Sequence, residues 1–218
     1  MNRKRWAILT LGLTTAWLLR WKFACWFMGL ATYHWLARVI LPRVRWRLKK
    51  PSLDSSVEVA GRVRAQAGDI VLTYKSGYLG SALTPGYWKH AALVTRGCEP
   101  GRSPQVAEMT AEGFGLIGWI EVCQADRVAI FRCCEWDDNY KRTVVVPRCR
   151  SFRGKAYDTA FKLGVASLYC SELVYEADTE RRLDVDLSDL RGLGRQYVSP
   201  QDIAEAGNVV KVWDSEGS

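Results

Sequence analysis

Tyr169-Cys170-Ser171-Glu172-Leu173-Val174-Tyr175 is the stretch on which the fold turns. Cys170 stands where an irregular segment gives way to helical spacing. Leu173, Val174 and Ala177 can share one helix face, with Glu172, Glu176 and Glu180 expected outside. A cysteine at a helix start lies among backbone N–H groups that lack an intrahelical partner, at the positive end of the helix dipole. Both stabilise a thiolate, the form that attacks a carbonyl carbon. The plainer reading is a small buried core thiol, the commonest fate of a free cysteine. Cys98 falls in a turn, and Cys123, Cys133, Cys134 and Cys149 fall at strand ends or in an ambiguous stretch, so none of them shares the helix-start setting.

A nucleophilic thiol needs a base, and the chain has two histidines, His34 and His90. His90 opens the predicted strand His90-Ala91-Ala92-Leu93-Val94-Thr95, just after a loop rich in Gly, Pro and Ser over 76–89. A lone histidine is usually structural, but one that can pair with a helix-start cysteine is a candidate base. A third group must then hold the far ring nitrogen. Glu108 lies on the next predicted strand, where antiparallel neighbours can bring the two side chains together. Glu112 and Asp69 are rivals for that role, and the plain reading of Glu108 is a solvent-facing carboxylate.

Outward from these residues, strands are predicted at 70–74 and near 104–110, 115–122 and 126–132, with a turn at 99–102. The stretch 137–153 is ambiguous between a strand over Thr143–Val146 and a helix broken near Pro147. Ser199-Pro200-Gln201-Asp202 carries a capped helix start, and 208–213 reads as a last strand. Strands with segregated helices indicate an α+β fold. The seven cysteines are odd in number, two are adjacent, and they form no disulfide framework, so the thiols read as reduced. With no C-x-x-C pair and two histidines, a zinc site is not expected. The chemistry calls for neither a metal nor an organic cofactor.

The first fifty residues differ from the rest. They hold eleven Lys/Arg, no Asp/Glu and six of the ten tryptophans; the other 168 carry twenty basic and twenty-three acidic residues. The net charge of +8 therefore belongs to this segment. A nucleic-acid protein would carry its basic stripe on the folded domain, so a nucleic-acid partner is not expected, and the fitting partner is an anionic bilayer. Two uncharged runs, 6–19 and 23–37, span about 21–23 Å each as helices, against a bilayer core of about 30 Å. Membrane-associated helices, as a shallow hairpin or an interfacial pair, are expected here, ahead of a cleaved signal peptide or a buried helix pair. Basic residues at both ends place the following domain on the cytoplasmic side. The expected organisation is a membrane-associated segment 1–50, a linker 51–59, a domain 60–213 and a tail 214–218.

Taken in order, Gly-Asp-Ile-Val-Leu (68–72), His-Ala-Ala-Leu-Val (90–94), Val-Ala-Glu (106–108), Gly-x-x-Tyr-Asp-x-x-Phe (154–161) and Tyr-Cys-Ser-Glu-Leu-Val-Tyr (169–175) resemble the YiiX-like proteins, circularly permuted members of the papain-like NlpC superfamily. The resemblance covers about residues 60–213. It implies a permuted papain-like domain, an antiparallel sheet packed on the helix that bears the nucleophile. It further implies Cys170 as nucleophile, His90 as base, Glu108 as the polar third member and Tyr157 as an oxyanion or substrate contact. The lecithin retinol acyltransferase group is also permuted, but its Asn-Cys-Glu-His block differs from Tyr-Cys-Ser-Glu here. The leading expectation is a membrane-associated thiol hydrolase of peptide or other amide bonds. A lipid-directed ester or thioester hydrolase or acyltransferase is the alternative, and a non-catalytic membrane adaptor the second.

Overall fold

Ile70, Val71, Leu72 and Thr73 are all buried, which requires cover on both faces and a neighbour at each edge. The computed structural model, describing residues 51–78, 84–189 and 194–217, supplies both. Its elements are α1 (Ser55–Arg64), β1 (Ile70–Tyr74), β2 (His90–Arg96), β3 (Gln105–Thr110), β4 (Gly113–Gly118), α2 (Trp119–Val122), β5 (Arg127–Cys133), α3 (Asp138–Tyr140), a π-turn (Lys141–Val145), α4 (Val146–Ser151), α5 (Cys170–Ala177), β6 (Ser188–Asp189), β7 (Gln196–Tyr197), α6 (Pro200–Ala204) and β8 (Val209–Asp214). One six-stranded sheet runs β4-β3-β2-β1-β5-β8, antiparallel at every step. This is the expected α+β class.

Strand alternation divides the core in two. Ile70, Leu72, Ala91, Leu93, Ala107 and Met109 face Cys149, Phe152, Leu173, Val174 and Ala177 of α4 and α5. Val71, Ala92, Val94, Val106, Val128 and Ile130 face Ala65, Trp119, Val122 and Trp213. The second face is covered by α1 and α2.

Three local expectations change. Residues 51–59, expected as a linker, run into α1 at Ser55: Asp54 occupies the N-cap and its C=O accepts from Glu58 N–H at 2.9 Å. Asp and Ser serve turns and helix caps alike, so the sequence signal was the same for both. The strand expected over 115–122 stops at Gly118, and Trp119 turns inward as α2, its Nε1–H donating to the Glu58 C=O at 3.0 Å. The ambiguous stretch 137–153 is helical from Asp138 to Ser151, with the wide π-turn directly before Pro147. Proline lacks an N–H and its ring crowds the carbonyl four residues back, and a widened turn relieves both. At the far end, Asp214 closes β8 and binds Arg127 through two bonds of 2.8 and 2.6 Å, so the sheet extends one residue into the expected tail.

The expected membrane segment 1–50 lies outside the described residues. Among the described residues no helix is long and apolar enough to cross a membrane.

Gly61 explains how α1 lies so close to the sheet. A Cβ there would stand 2.7 Å from Trp213 and 2.8 Å from Trp119, both nearly fully buried. Gly61→Leu should therefore overpack this seam and cost about 1–3 kcal/mol, read by urea unfolding. The exposed Val63→Ala in the same helix should change stability by less than about 0.5 kcal/mol. Equal effects would mean that α1 does not pack as described.

Candidate active site

Cys170 is the first residue of α5 and is 8% exposed. Its neighbours on either side are tied to one residue. Tyr169 Oη accepts from the Val198 N–H at 3.0 Å, and Ser171 Oγ donates to the Val198 C=O at 2.8 Å. Cys170 thus sits between two fixed points on a strand-like segment far along the chain.

His90 is the first residue of β2. Its Nε2 bonds Glu108 Oε2 at 2.9 Å, and the ring also hydrogen-bonds the Cys170 thiol. Glu108 pairs in register with Ala92 and Gly115, and Gly115 leaves open room beside it: a Cβ there would be 3.9 Å from the Glu108 Cγ. By alternation His90 and Glu108 project on the α1 side of the sheet, with Ala92 and Val94. Cys170 comes from α5 on the other side. They meet because the β2–β3 pairing ends at Ala92↔Glu108. Beyond that point the Ala91 N–H hydrogen-bonds the Cys170 sulfur, as does the N–H of Ser171.

The electrostatics follow from that meeting. Burial alone raises a thiol's pKa, and it pushes Cys123 and Cys149 to about 12 and Cys133 to about 11. At Cys170 burial acts the same way but is outweighed by the His90 hydrogen bond and charge and by the two N–H groups, so its pKa falls below the ordinary thiol value. For His90, burial would lower the pKa, yet the bonds to Cys170 and Glu108 raise it well above an ordinary imidazole. Burial raises Glu108, but His90 and the nearby Lys75 leave it below the usual carboxylate value. The arrangement favours a thiolate–imidazolium pair.

The rivals of Glu108 are elsewhere. Asp69, fully buried, lies at the opposite end of β1 and takes two bonds from Arg132, at 2.7 and 2.8 Å, and one from the Gln66 N–H. Glu112 is exposed in the β3–β4 turn and accepts from Thr110 Oγ1. Tyr157 is half-buried and bridges Leu168, two residues before Cys170. Its ring meets Phe161 edge-on at 6.4 Å, and Phe161 leans on Tyr169 at 5.1 Å.

Glu172 departs from the expected outward position: it is fully buried. Its carboxylate accepts from Gly164 N–H at 2.6 Å and from Tyr169 N–H at 3.3 Å. Burial raises its pKa, only partly offset by those bonds, to about 8. Asp158, also buried, accepts from the N–H groups of Ala160 and Lys162. It shapes the loop in which Phe161 holds a left-handed backbone (φ 52°). Together the two carboxylates fix the loop between Tyr157 and Tyr169. The signal for Glu172 was in the sequence, since a Glu three residues past an N-cap commonly folds back on it.

The profile of a family described as permuted papain-like amidases, YaeF/YiiX, C92, matches residues 64–217. No curated protein matches the chain. The crystal structure of a protein described as the metalloprotein yiiX, from Escherichia coli O157:H7, superposes with a TM-score of 0.56 at 19% identity, covering 68% of this chain and 96% of that one. At that identity the likeness shows the fold. Among the described residues no three or more His, Cys, Asp and Glu are grouped to hold a metal. His90 stands between Cys170 and Glu108 and engages both, so this set does not fit a metal, and no step below passes through one.

With limiting iodoacetamide at neutral pH, Cys170 should label ahead of the exposed Cys98 and Cys134, as read by peptide mass spectrometry. His90→Ala removes the charge that opposes burial, and each unit by which the thiol pKa then rises cuts the thiolate fraction about tenfold. Labelling of Cys170 no faster than that of Cys98 would contradict the electrostatic account.

Proposed function

The chain belongs to the family of permuted papain-like amidases of the YaeF/YiiX type, and on that premise we propose that it is a membrane-associated thiol hydrolase that cleaves amide bonds through Cys170. The observation that carries this reading is the lowered pKa of a thiol at a helix start, bonded to a histidine that Glu108 holds.

In this mechanism the Cys170 thiolate attacks the amide carbonyl carbon, and the carbonyl π pair moves to oxygen. Backbone N–H groups at the start of α5, with Tyr157, stabilise that oxyanion. Its collapse breaks the C–N bond while the His90 imidazolium protonates the leaving amine. His90, now neutral, takes a proton from water as the water attacks the thioester. The carboxylate product leaves and the thiol is restored. Glu108 keeps the ring oriented and its charge favoured throughout.

Two further readings belong to the same proposal. Residues 1–50 associate with a lipid bilayer through tryptophans and basic residues, with the hydrolase domain on the cytoplasmic side. That location favours, as the second reading of substrate, an amphiphile whose ester, thioester or amide lies near the headgroups.

Activity should rise with pH through the lowered Cys170 pKa and fall as pH passes the raised His90 pKa. Glu108→Gln removes the carboxylate that favours the imidazolium, so the alkaline limb should move to lower pH; an unmoved limb would reject Glu108 as the third member. Cys170→Ala should abolish turnover on peptide-amide and lipid-ester panels. Rapid acid quench of the wild type should trap an acyl adduct on Cys170. Turnover by Cys170→Ala at the wild-type rate would overturn the mechanism.

Sidedness has its own measurement. In sealed cells stripped of outer layers, externally added protease should spare residues 60–213. Digestion from outside would reverse the topology and leave the thiol chemistry untouched.

A further inference from the structure

α1 is the helix that follows directly on the basic, tryptophan-rich segment 1–50, and its outer side is unusual. Gly61 faces inward onto Trp213 and Trp119. Residues two positions away in either direction lie about 200° round the helix, so Val59 and Val63 point outward, and they are 42% and 61% exposed. Ile120 of α2, the turn that packs beside α1 through the Trp119–Glu58 bond, is 65% exposed. These are three of the six large apolar residues left exposed among the described residues, gathered on one two-helix face. Single exposed aliphatics need no explanation, but a cluster does.

The charges around the cluster have one sign bias. Arg43, Arg45, Arg47, Lys49 and Lys50 lead up to Pro51, and Arg62 and the exposed Arg64 continue the run onto α1. Arg62 approaches Glu58 only at 4.0 Å and remains 38% exposed. Aliphatic side chains flanked by cations, beside a cationic segment rich in tryptophan, are the composition of an interfacial membrane contact. The area is too small for the other occupants: a stable protein interface buries about 800 Å² on each partner, which three aliphatic side chains do not approach.

We propose that the outer face of α1, with Ile120, rests on an anionic bilayer surface, inserting Val59, Val63 and Ile120 among the headgroups while Arg62 and Arg64 meet anionic lipid; this rests on the reading that residues 1–50 associate with a membrane. The domain is then not a free body on a tether. His90 and Glu108 project on the α1 side of the sheet, so the candidate site lies on the side turned toward the lipid.

Hydrogen exchange of the full chain, measured on vesicles of phosphatidylglycerol with phosphatidylcholine and on vesicles of phosphatidylcholine alone, tests this. Peptides covering 57–64 and 119–122 should exchange several-fold more slowly on the anionic vesicles. The double variant V63E/I120E should lose that slowing while Cys170 alkylates at the wild-type rate, which shows the domain still folded. A chain that sediments with anionic vesicles but shows no slowing in these peptides overturns the proposed face and leaves the membrane reading standing. A chain that sediments with neither vesicle removes the membrane reading and the proposal with it. Equal slowing in detergent micelles means that residues 1–50 cover the face, and slowing that grows with protein concentration means that a second copy does; either result rejects the bilayer as its occupant.

Discussion

Ala91 has a backbone N–H that a continuing β2–β3 ladder would use up, and it donates to the Cys170 sulfur instead. Val94, three residues on, donates to Asp69 beside β1, so the N–H groups of Ala91 and Leu93 point to the β3 side. Pairing continues there from Ala92↔Glu108 to Val94↔Val106 and ends on the Ala91 side. The end of the ladder is therefore an opening in the sheet. Through it a thiol from the α5 side reaches an imidazole from the α1 side. Had the strands stayed paired for two more residues, the sheet itself would separate the two groups.

Burial makes this meeting chemically decisive. Cys123, Cys133, Cys149 and Cys170 are all buried, and desolvation pushes each toward the neutral thiol. Cys170 alone among these four is pulled the other way, by a neighbouring imidazole and two N–H groups. The low local polarity that penalises a lone charge also strengthens a charge pair. A closed setting is therefore compatible with a reactive thiolate only while His90 is protonated, and Glu108 keeps it so.

Much of this was legible in the sequence. The strands at 70–74 and 90–96 have β-branched, alternating patterns that admit one reading, and the Cys170 helix start was visible from its periodicity. Glu108 could be chosen as a neighbour of His90 because consecutive antiparallel strands adjoin. Three things were not legible. Glu172 carries a surface residue's chemistry and is buried because the loop between Tyr157 and Tyr169 closes over it, a long-range fact. α1 was hidden by turn residues that also serve as caps. The helical stretch through Pro147 was hidden because its β-branched run and its proline both argue locally against a helix, and the π-turn settles that conflict only within the packed core. The opening at Ala91 has no local signal at all, since it depends on where α5 arrives.

The clamp on Cys170 comes from Val198, twenty-eight residues further along the chain. On a ribosome adding about 5–20 residues per second, Cys170 is made seconds before the residue that positions it. The emerging polypeptide therefore carries an ordinary, unactivated thiol through synthesis. Its reactivity arises only when the last strands join the sheet. In this way the order of translation keeps an aggressive nucleophile away from the nascent chains around it until its own domain has closed.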